Sequence, residues 1–343
     1  MRYSLPAPML AASVPRIPEA DGYAFEPKWD GFRVLAAWDG DEVELGSRGA
    51  KPLTRYFPEL VEALGRVLPG PCVLDGEIVV AVGEPGSQRL SWDALGQRIH
   101  PAARRVAELS ERTPAMLIAF DLLADGDRML QQEPFRERRA RLERLLADTP
   151  HPVHLTRSTR DRTLARQWLD RFEGAGLDGV IAKPLEEPYA PGARTMLKIK
   201  HARTADVVVA GYRVHSSGSG VGSLLVAVYD ADGALHQVGG VSAFTDARRR
   251  ELLAELAPLV ERDEAGAVVT GRGERSRFSG AKDTSFVRLR PERVLEVGYD
   301  QLSGDRFRHT ARFVRWRPDR DPRSCTAAQF ELPDPYDLGD VLG

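Results

Sequence analysis

Apolar residues fall in short blocks whose spacing alternates between strand and helix. Phe32–Trp38 is an apolar run interrupted by Arg33 and predicts a strand, and Asp39-Gly40 behind it signals a hairpin into a second strand at Glu42–Ser47. Over Tyr56–Leu68 the apolar positions Phe57, Leu60, Leu64 and Leu68 recur at helical spacing. Cys72–Val82 predicts a β-branched strand interrupted by Asp75-Gly76-Glu77, and Met116–Leu123 another strand carrying Asp121. Arginine-rich amphipathic helices at Pro134–Ala147 and Thr163–Gly174 follow, then short strands at Gly179–Lys183 and Thr195–Lys200.

After His201 the pattern changes. Val207–Val214, Leu224–Tyr229, Leu235–Val241, Val294–Leu302 and Ala311–Arg317 predict five strands, with one helix near Asp246–Leu259, a combination that suggests a small OB-type barrel. Gly218-x-Gly220-x-Gly222 lacks the spacing of a dinucleotide fingerprint and reads as a hairpin loop. The end of the chain carries Asp334, Asp337 and Asp340 with no base, either as a solvated tail or as a strap across the body. The fold class is therefore α+β: a first domain over 1–200, a hinge over 201–206, a five-stranded barrel over 207–330 and an acidic tail over 331–343.

Length and composition narrow the class without naming an activity. A chain of 343 residues suggests two domains. With 42% apolar and 29% charged residues it is an ordinary folded protein, not a disordered chain or a repeat. The formal charge of −2 gives no overall sign of nucleic-acid binding. Cys72 and Cys325 are far apart and belong to no Cys-x-x-Cys pair, which argues against a disulfide framework or a cysteine zinc site. No apolar stretch approaches the ~20 residues of a membrane span. A cytoplasmic location is expected.

Of the 48 basic residues only six are lysine: Lys28, Lys51, Lys183, Lys198, Lys200 and Lys282. A coding bias toward arginine accounts for the scarcity, which makes the remaining positions informative. Lys28 lies in Glu26-Pro27-Lys28-Trp29-Asp30-Gly31-Phe32-Arg33, where a glycine at a strand entrance lets backbone and ligand approach closely. An amine can lose its proton and act as a nucleophile, whereas a guanidinium stays charged. Taken alone, the segment is equally a surface Lys–Asp pair beside a turn.

The segment has company, in a fixed order. Lys28-Trp29-Asp30-Gly31 with Arg33 resembles the first motif of the covalent nucleotidyltransferases, which include DNA ligases, RNA ligases and mRNA capping enzymes. Ser47-Arg48-Gly49, Asp75-Gly76-Glu77, Phe120-Asp121-Leu122, Asp178-Gly179-Val180-Ile181-Ala182-Lys183, Met196-Leu197-Lys198-Ile199-Lys200 and Arg317-Pro318-Asp319-Arg320 resemble the motifs that follow it. Four of the six lysines lie in them. The resemblance implies an adenylyltransferase domain, with antiparallel sheets and flanking helices, followed by an OB-fold domain. It makes Lys28 the nucleophile that attacks the α-phosphate of ATP and becomes lysyl-AMP. Glu26 would read the adenine, Phe120 would stack on it, and Arg33, Arg48, Lys183 and Arg317 would bind the nucleotide. Glu77 would meet the ribose or a metal. Lys198 and Lys200, which alternate with Leu197 and Ile199, would stabilise charge at the α-phosphate. Mg2+, with Mn2+ as an alternative, would sit near Asp30, Glu77 and Asp178. Asp178 stands where most ligases have Glu, and Met196 where the fifth motif often has Trp.

Within the superfamily, Ala7-Pro8-Met9-Leu10-Ala11, the stretch Met196–Tyr212 and Phe307-Arg308-His309 through Trp316 resemble the bacterial ATP-dependent ligase C type. That resemblance implies a two-domain, monomeric auxiliary repair ligase of the bacterial nucleoid. Nicked duplex DNA is its expected partner, and repair polymerases or end-processing proteins are candidate associates. With 27 residues before Lys28 and no cysteine cluster, ATP rather than NAD is the expected cofactor. Residues 271–323 hold 14 bases against 8 acids, and the segment Arg262–Arg293, through Arg275, Arg277 and Lys282, is expected to clamp the nick. A capping-type guanylyltransferase and a non-catalytic DNA-end-binding module are the alternatives.

Overall fold

A computed structural model describes residues 3–49, 51–273, 284–330 and 332–342. It divides into unit 1, Met1–Lys200 with Pro333–Gly343, and unit 2, His201–Leu332.

Unit 1 is built on two sheets. In the first, β1 (Ala11–Val14) and β2 (Tyr23–Pro27) form the edges. In the second, β3 (Phe32–Trp38), β4 (Val43–Ser47), β5 (Cys72–Val82) and β6 (Ala115–Asp125) run antiparallel in the order β4-β3-β5-β6. Strands β7 (Val180–Pro184) and β8 (Met196–Ile199) complete the first sheet, in the order β1-β8-β7-β2. Both faces of β5 and β6 are covered over nearly their whole length, which explains why their sequences read as continuous apolar runs. The helix Pro58–Val67 turns Leu60 and Leu64 into the core beside Phe57, and Pro at its first position costs no intrahelical bond.

Lys28–Asp30 and Gly31 carry the chain from β2 in one sheet to β3 in the other. A Cβ at Gly31 would overlap the carbonyl oxygen of Ile78 on β5, so only glycine allows this crossing.

The elements of unit 1 that escape the apolar pattern include a strand and two helices. β1 lies between Pro8 and Pro15 and is recruited by parallel pairing with β8, Ala11 opposite Met196. Trp92–Gln97 and Ala103–Arg112 are short helices with one and two buried residues respectively, too few to leave a clear stripe.

Unit 2 contains β9 (Arg203–Val214), β10 (Val221–Tyr229), β11 (Leu235–Val241), a helix over Asp246–Leu256, β12 (Thr270–Arg272), β13 (Ser285–Arg288), β14 (Val294–Tyr299) and β15 (Arg312–Trp316). Strands pair in the order β11-β10-β9-β14-β15, and a parallel bridge between Val241 and Ala311 joins the ends of this curled sheet. This is the OB arrangement.

Part of the segment 201–206, expected as a hinge, lies in a strand. Arg203 to Asp206 already belong to β9, paired from Arg203–Tyr299 to Asp206–Glu296, so its backbone is committed to a ladder. Within the segment Arg262–Arg293, expected to clamp the nick, lie β12 and β13, with β13 joined to β9 at Gly211 and Tyr212. Arg275, Arg277 and Lys282 lie outside the described residues.

The acidic C-terminal segment is a strap. Its apolar residues, placed between the aspartates, bury Leu338 and Val341 completely in unit 1, and Tyr336 packs 5.5 Å from Phe172. Asp337 Oδ2 accepts the Gln88 N–H at 2.7 Å, and the Leu338 N–H donates to the Gln88 carbonyl at 2.8 Å. Cys72 and Cys325 are buried free thiols. Among the described residues no helix is long and apolar enough to cross a membrane.

Candidate active site

Pairing of β2 with β7 fixes the position of Lys28. Glu26 lies opposite Ile181, and two further bonds extend the ladder: Lys28 N–H to the Gly179 carbonyl at 2.8 Å and Asp178 N–H to the Lys28 carbonyl at 2.9 Å. Gly179 has φ +131°, and a Cβ there would overlap the Ile199 carbonyl, so glycine permits the close approach of β8. That approach brings Lys200, just past β8, to the same carboxylate as Lys28. Lys28 Nζ donates to Asp178 Oδ2 at 2.5 Å, and Lys200 Nζ lies 2.9 Å from that oxygen. Burial alone would raise the Asp178 carboxyl, but the two ammonium groups hold it below the usual carboxylate range. Lys198, opposite Ile181 on β8, is lowered by burial and by the charges of Lys200 and Lys28.

Beside Lys28 opens a cavity of about 610 Å³. The first sheet and its flanks contribute Glu26, Lys28, Lys183 and Lys198, while the second contributes Arg33, Glu77 and Phe120, with Arg48 just after β4. The Ala7–Ala11 segment also lines it. Arg33 forms a two-pronged ion pair with buried Asp75, at 2.6 and 2.7 Å, and its guanidinium carbon lies 4.3 Å from the Phe120 ring centroid. Tyr189 donates to Asp75 Oδ2 at 2.6 Å and accepts the Met9 N–H at 3.0 Å, which ties the N-terminal segment to the Arg33 pair. Lys183 Nζ reaches Glu26 Oε2 at 2.7 Å and the Phe120 carbonyl at 2.8 Å. Burial lowers Lys183, and Glu26 and Asp121 oppose that effect.

Among the described residues, Glu77 is a carboxylate that its surroundings push clearly upward. It accepts the Gly31 N–H at 3.1 Å, yet burial, only partly offset by Arg33 and Lys28, pushes it up to about 7. A carboxyl raised in the folded state costs nothing when protonated and costs the full amount when ionised, so its penalty grows from the unfolded value near 4.5 to about 7. The Glu77→Gln protein is therefore expected to gain stability relative to wild type between pH 5 and pH 8, by on the order of 2 kcal/mol. Thermal melts of both proteins across that range check this, and a constant difference would count against it.

The residues fit a divalent cation in part. Asp178 Oδ1 is buried without a hydrogen-bond partner, and Glu77 carries an energetic penalty that a nearby cation would relieve. The expected set of Asp30, Glu77 and Asp178 is nevertheless not gathered: among the described residues no three acidic, His or Cys side chains converge on a metal position. Asp178 is engaged by Lys28 and Lys200, and Asp30 is half-buried outside the cavity lining. Fewer protein carboxylates suit Mg2+, which keeps waters and takes phosphate oxygens.

The cavity thus gathers Glu26, Lys28, Arg33, Arg48, Glu77, Phe120, Lys183 and Lys198, while Asp178 and Lys200 join through Lys28. Arg317 lies in unit 2, where it donates to Asp206 at 2.9 and 3.0 Å and to Asp319 at 2.8 Å. Sequence reasoning missed Tyr189 and Arg139. Arg139 had a signal: Phe135, Arg138, Arg139 and Leu142 occupy one helical stripe, and all four are buried.

Residues 8–200 match the family described as ATP dependent DNA ligase domain, and residues 217–320 match the ATP dependent DNA ligase C terminal region. DNA ligase C1 of Mycolicibacterium smegmatis is 52% identical over 341 residues, covering 98% of this chain and 96% of the relative. DNA ligase C of Mycobacterium tuberculosis is 54% identical over 351 residues, with the same coverage. A solved Lig E DNA ligase superposes with a TM-score of 0.56 at 16% identity, over 92% of this chain and 100% of that one, a likeness of fold alone.

Proposed function

Because this chain belongs to the ATP-dependent DNA ligases, of the bacterial ligase C type, and seals nicked DNA using ATP, we propose that Lys28 is the residue that carries AMP. The observation that supports this most is the sharing of one buried carboxylate, Asp178, by Lys28 and Lys200 at the edge of the cavity. Asp178 holds the ammonium in place through a direct ion pair. After the ammonium releases one proton to solvent, the Lys28 amine attacks the α-phosphorus of ATP; the N–P bond forms as the P–O bond to pyrophosphate breaks, and pyrophosphate leaves. AMP then passes to the 5′-phosphate at the nick, and the 3′-hydroxyl attacks that phosphate and expels AMP.

Phosphoryl transfer of this kind depends on alignment and charge neutralisation. Lys198 and Lys200 supply cations at the α-phosphate, and Arg33, Arg48 and Lys183 supply further nucleotide contacts. Phe120 offers a ring to the adenine, Glu26 reads the base, and Glu77 meets the ribose or the cation. Mg2+ held by Asp178 and Glu77 would neutralise charge on the phosphate oxygens. Arg317 is read as a further nucleotide contact for the first transfer. The arginines of unit 2 grip phosphates, which makes nick affinity fall with salt. The cellular role this reading assigns is that of an auxiliary repair ligase.

The test uses wild-type protein, Mg2+ and nucleotide labelled at the α-phosphate. Label should remain on the denatured protein far more strongly after incubation with ATP than with GTP, and a nicked duplex should remove it while becoming joined. Labelling by GTP as strong as by ATP, or an adduct that DNA does not discharge, would overturn the reading.

A further inference from the structure

Glu26 is 2% exposed, and a carboxylate so deeply buried needs more than one partner to stay charged and fixed in direction. Lys183 takes Oε2; Oε1 is met by Arg139, whose NH1 donates at 3.2 Å. Arg139 lies on the helix Phe135–Leu145, outside every motif in the ordered series, and is 8% exposed. Its other nitrogens are engaged too: NH2 donates to the Thr156 carbonyl at 2.8 Å and Nε to Glu143 at 2.7 Å. Thr156 in turn accepts the Trp29 indole N–H on its hydroxyl at 2.7 Å. One guanidinium therefore anchors the residue two before Lys28 directly and the residue after it through Thr156.

We propose that Arg139 is a positioning residue for nucleobase selection, holding Glu26 in the orientation that reads the purine. The proposal rests on the reading of Glu26 as the base contact. A carboxylate oxygen has two lone-pair sites, so Oε1 can accept from Arg139 and still accept from an exocyclic amine of a base. With Lys183 alone the carboxylate pivots about Oε2, and that amine loses a fixed acceptor. Discrimination then falls, because a site built to pair a polar group rejects analogues only while its own group is held in place. The planar, multidentate guanidinium can meet Glu26, Thr156 and Glu143 together, which an ammonium cannot.

The experiment measures lysyl-AMP and lysyl-GMP formation against nucleotide concentration for wild type, Arg139→Gln, Arg139→Lys, Glu26→Gln and the double variant Arg139→Gln/Glu26→Gln, with melting temperatures for all. Arg139→Gln should raise the KM for ATP about tenfold with little change in kcat, and reduce the preference for ATP over GTP by a similar factor. Arg139→Lys should recover part of that preference. In the double variant, which removes both charges together, Arg139→Gln should add nothing to the effect of Glu26→Gln. Loss of kcat for both nucleotides alike with an unchanged preference would overturn the proposal, as would independent effects in the double variant. If Glu26→Gln itself leaves the preference unchanged, the reading of Glu26 fails and the proposal falls with it. An altered preference in Glu26→Gln but not in Arg139→Gln defeats the proposal alone.

Discussion

The Lys28→Ala protein, incubated with labelled ATP and Mg2+, is expected to carry no covalent AMP and to leave a nicked duplex open. Lys28→Arg should fail as completely. Arginine preserves the charge beside Asp178, so a purely electrostatic role for Lys28 would survive that change. A nucleophile would not, because guanidinium keeps its proton in water. The other lysines give no rescue: Lys200 is held by the same carboxylate oxygen, and Lys183 is buried against Glu26 and the Phe120 carbonyl. The predicted block is confined to steps that need lysyl-AMP. A nick already bearing AMP on its 5′-phosphate should still be joined by Lys28→Ala, which separates loss of the nucleophile from loss of the fold. A labelled band surviving in Lys28→Ala would refute the assignment.

The second large effect is expected at Asp178. Replacing it with Ala leaves Lys28 and Lys200 converging on a space with no negative charge, after their shared partner has gone. Removing one member of a buried ion pair typically costs ~3–5 kcal/mol, less where water reaches the survivors, as it does here. Part of that loss appears as a lower melting temperature. The rest appears as misdirection of the nucleophile, for which a fall of about 100-fold in the rate of lysyl-AMP formation is expected. Asp178→Asn preserves the shape and removes the charge, so it should resemble Asp178→Ala in rate while melting closer to wild type. Single-turnover adenylation with parallel thermal melts measures both quantities. Wild-type adenylation by Asp178→Asn would show that the carboxylate does not organise the site.

Residues that line the cavity were more legible in the sequence than those that support them. Lys28, Glu77, Phe120 and Lys198 lie in short strings whose order along the chain is itself a signal, and the strand boundaries around them follow from apolar runs. Their supports come from distant places with no pattern of their own. Tyr189 reaches Asp75 from a loop, and Thr156 meets Trp29 from just beyond a three-residue strand. Arg139 was hidden by composition: in a chain so rich in arginine, a basic helix reads as a solvated face. Only the coincidence of two arginines with the stripe defined by Phe135 and Leu142 distinguishes it. The terminal segment stayed open between tail and strap for a related reason, because its aspartates dominate the count while Tyr336, Leu338 and Val341 carry the packing.

That segment bears on the order in which the molecule is made. Nascent chains generally fold domain by domain from the N-terminus. Here the apolar cluster around Phe172, Ala175 and Ile199 takes in Leu338 and Val341, so it stays incomplete while all of His201–Leu332 is being synthesised. The barrel has its last strand once Trp316 has emerged from the ribosome, and it can close first. The lysine-bearing unit is begun first and finished last. During elongation the barrel unit thus matures ahead of the unit that carries Lys28.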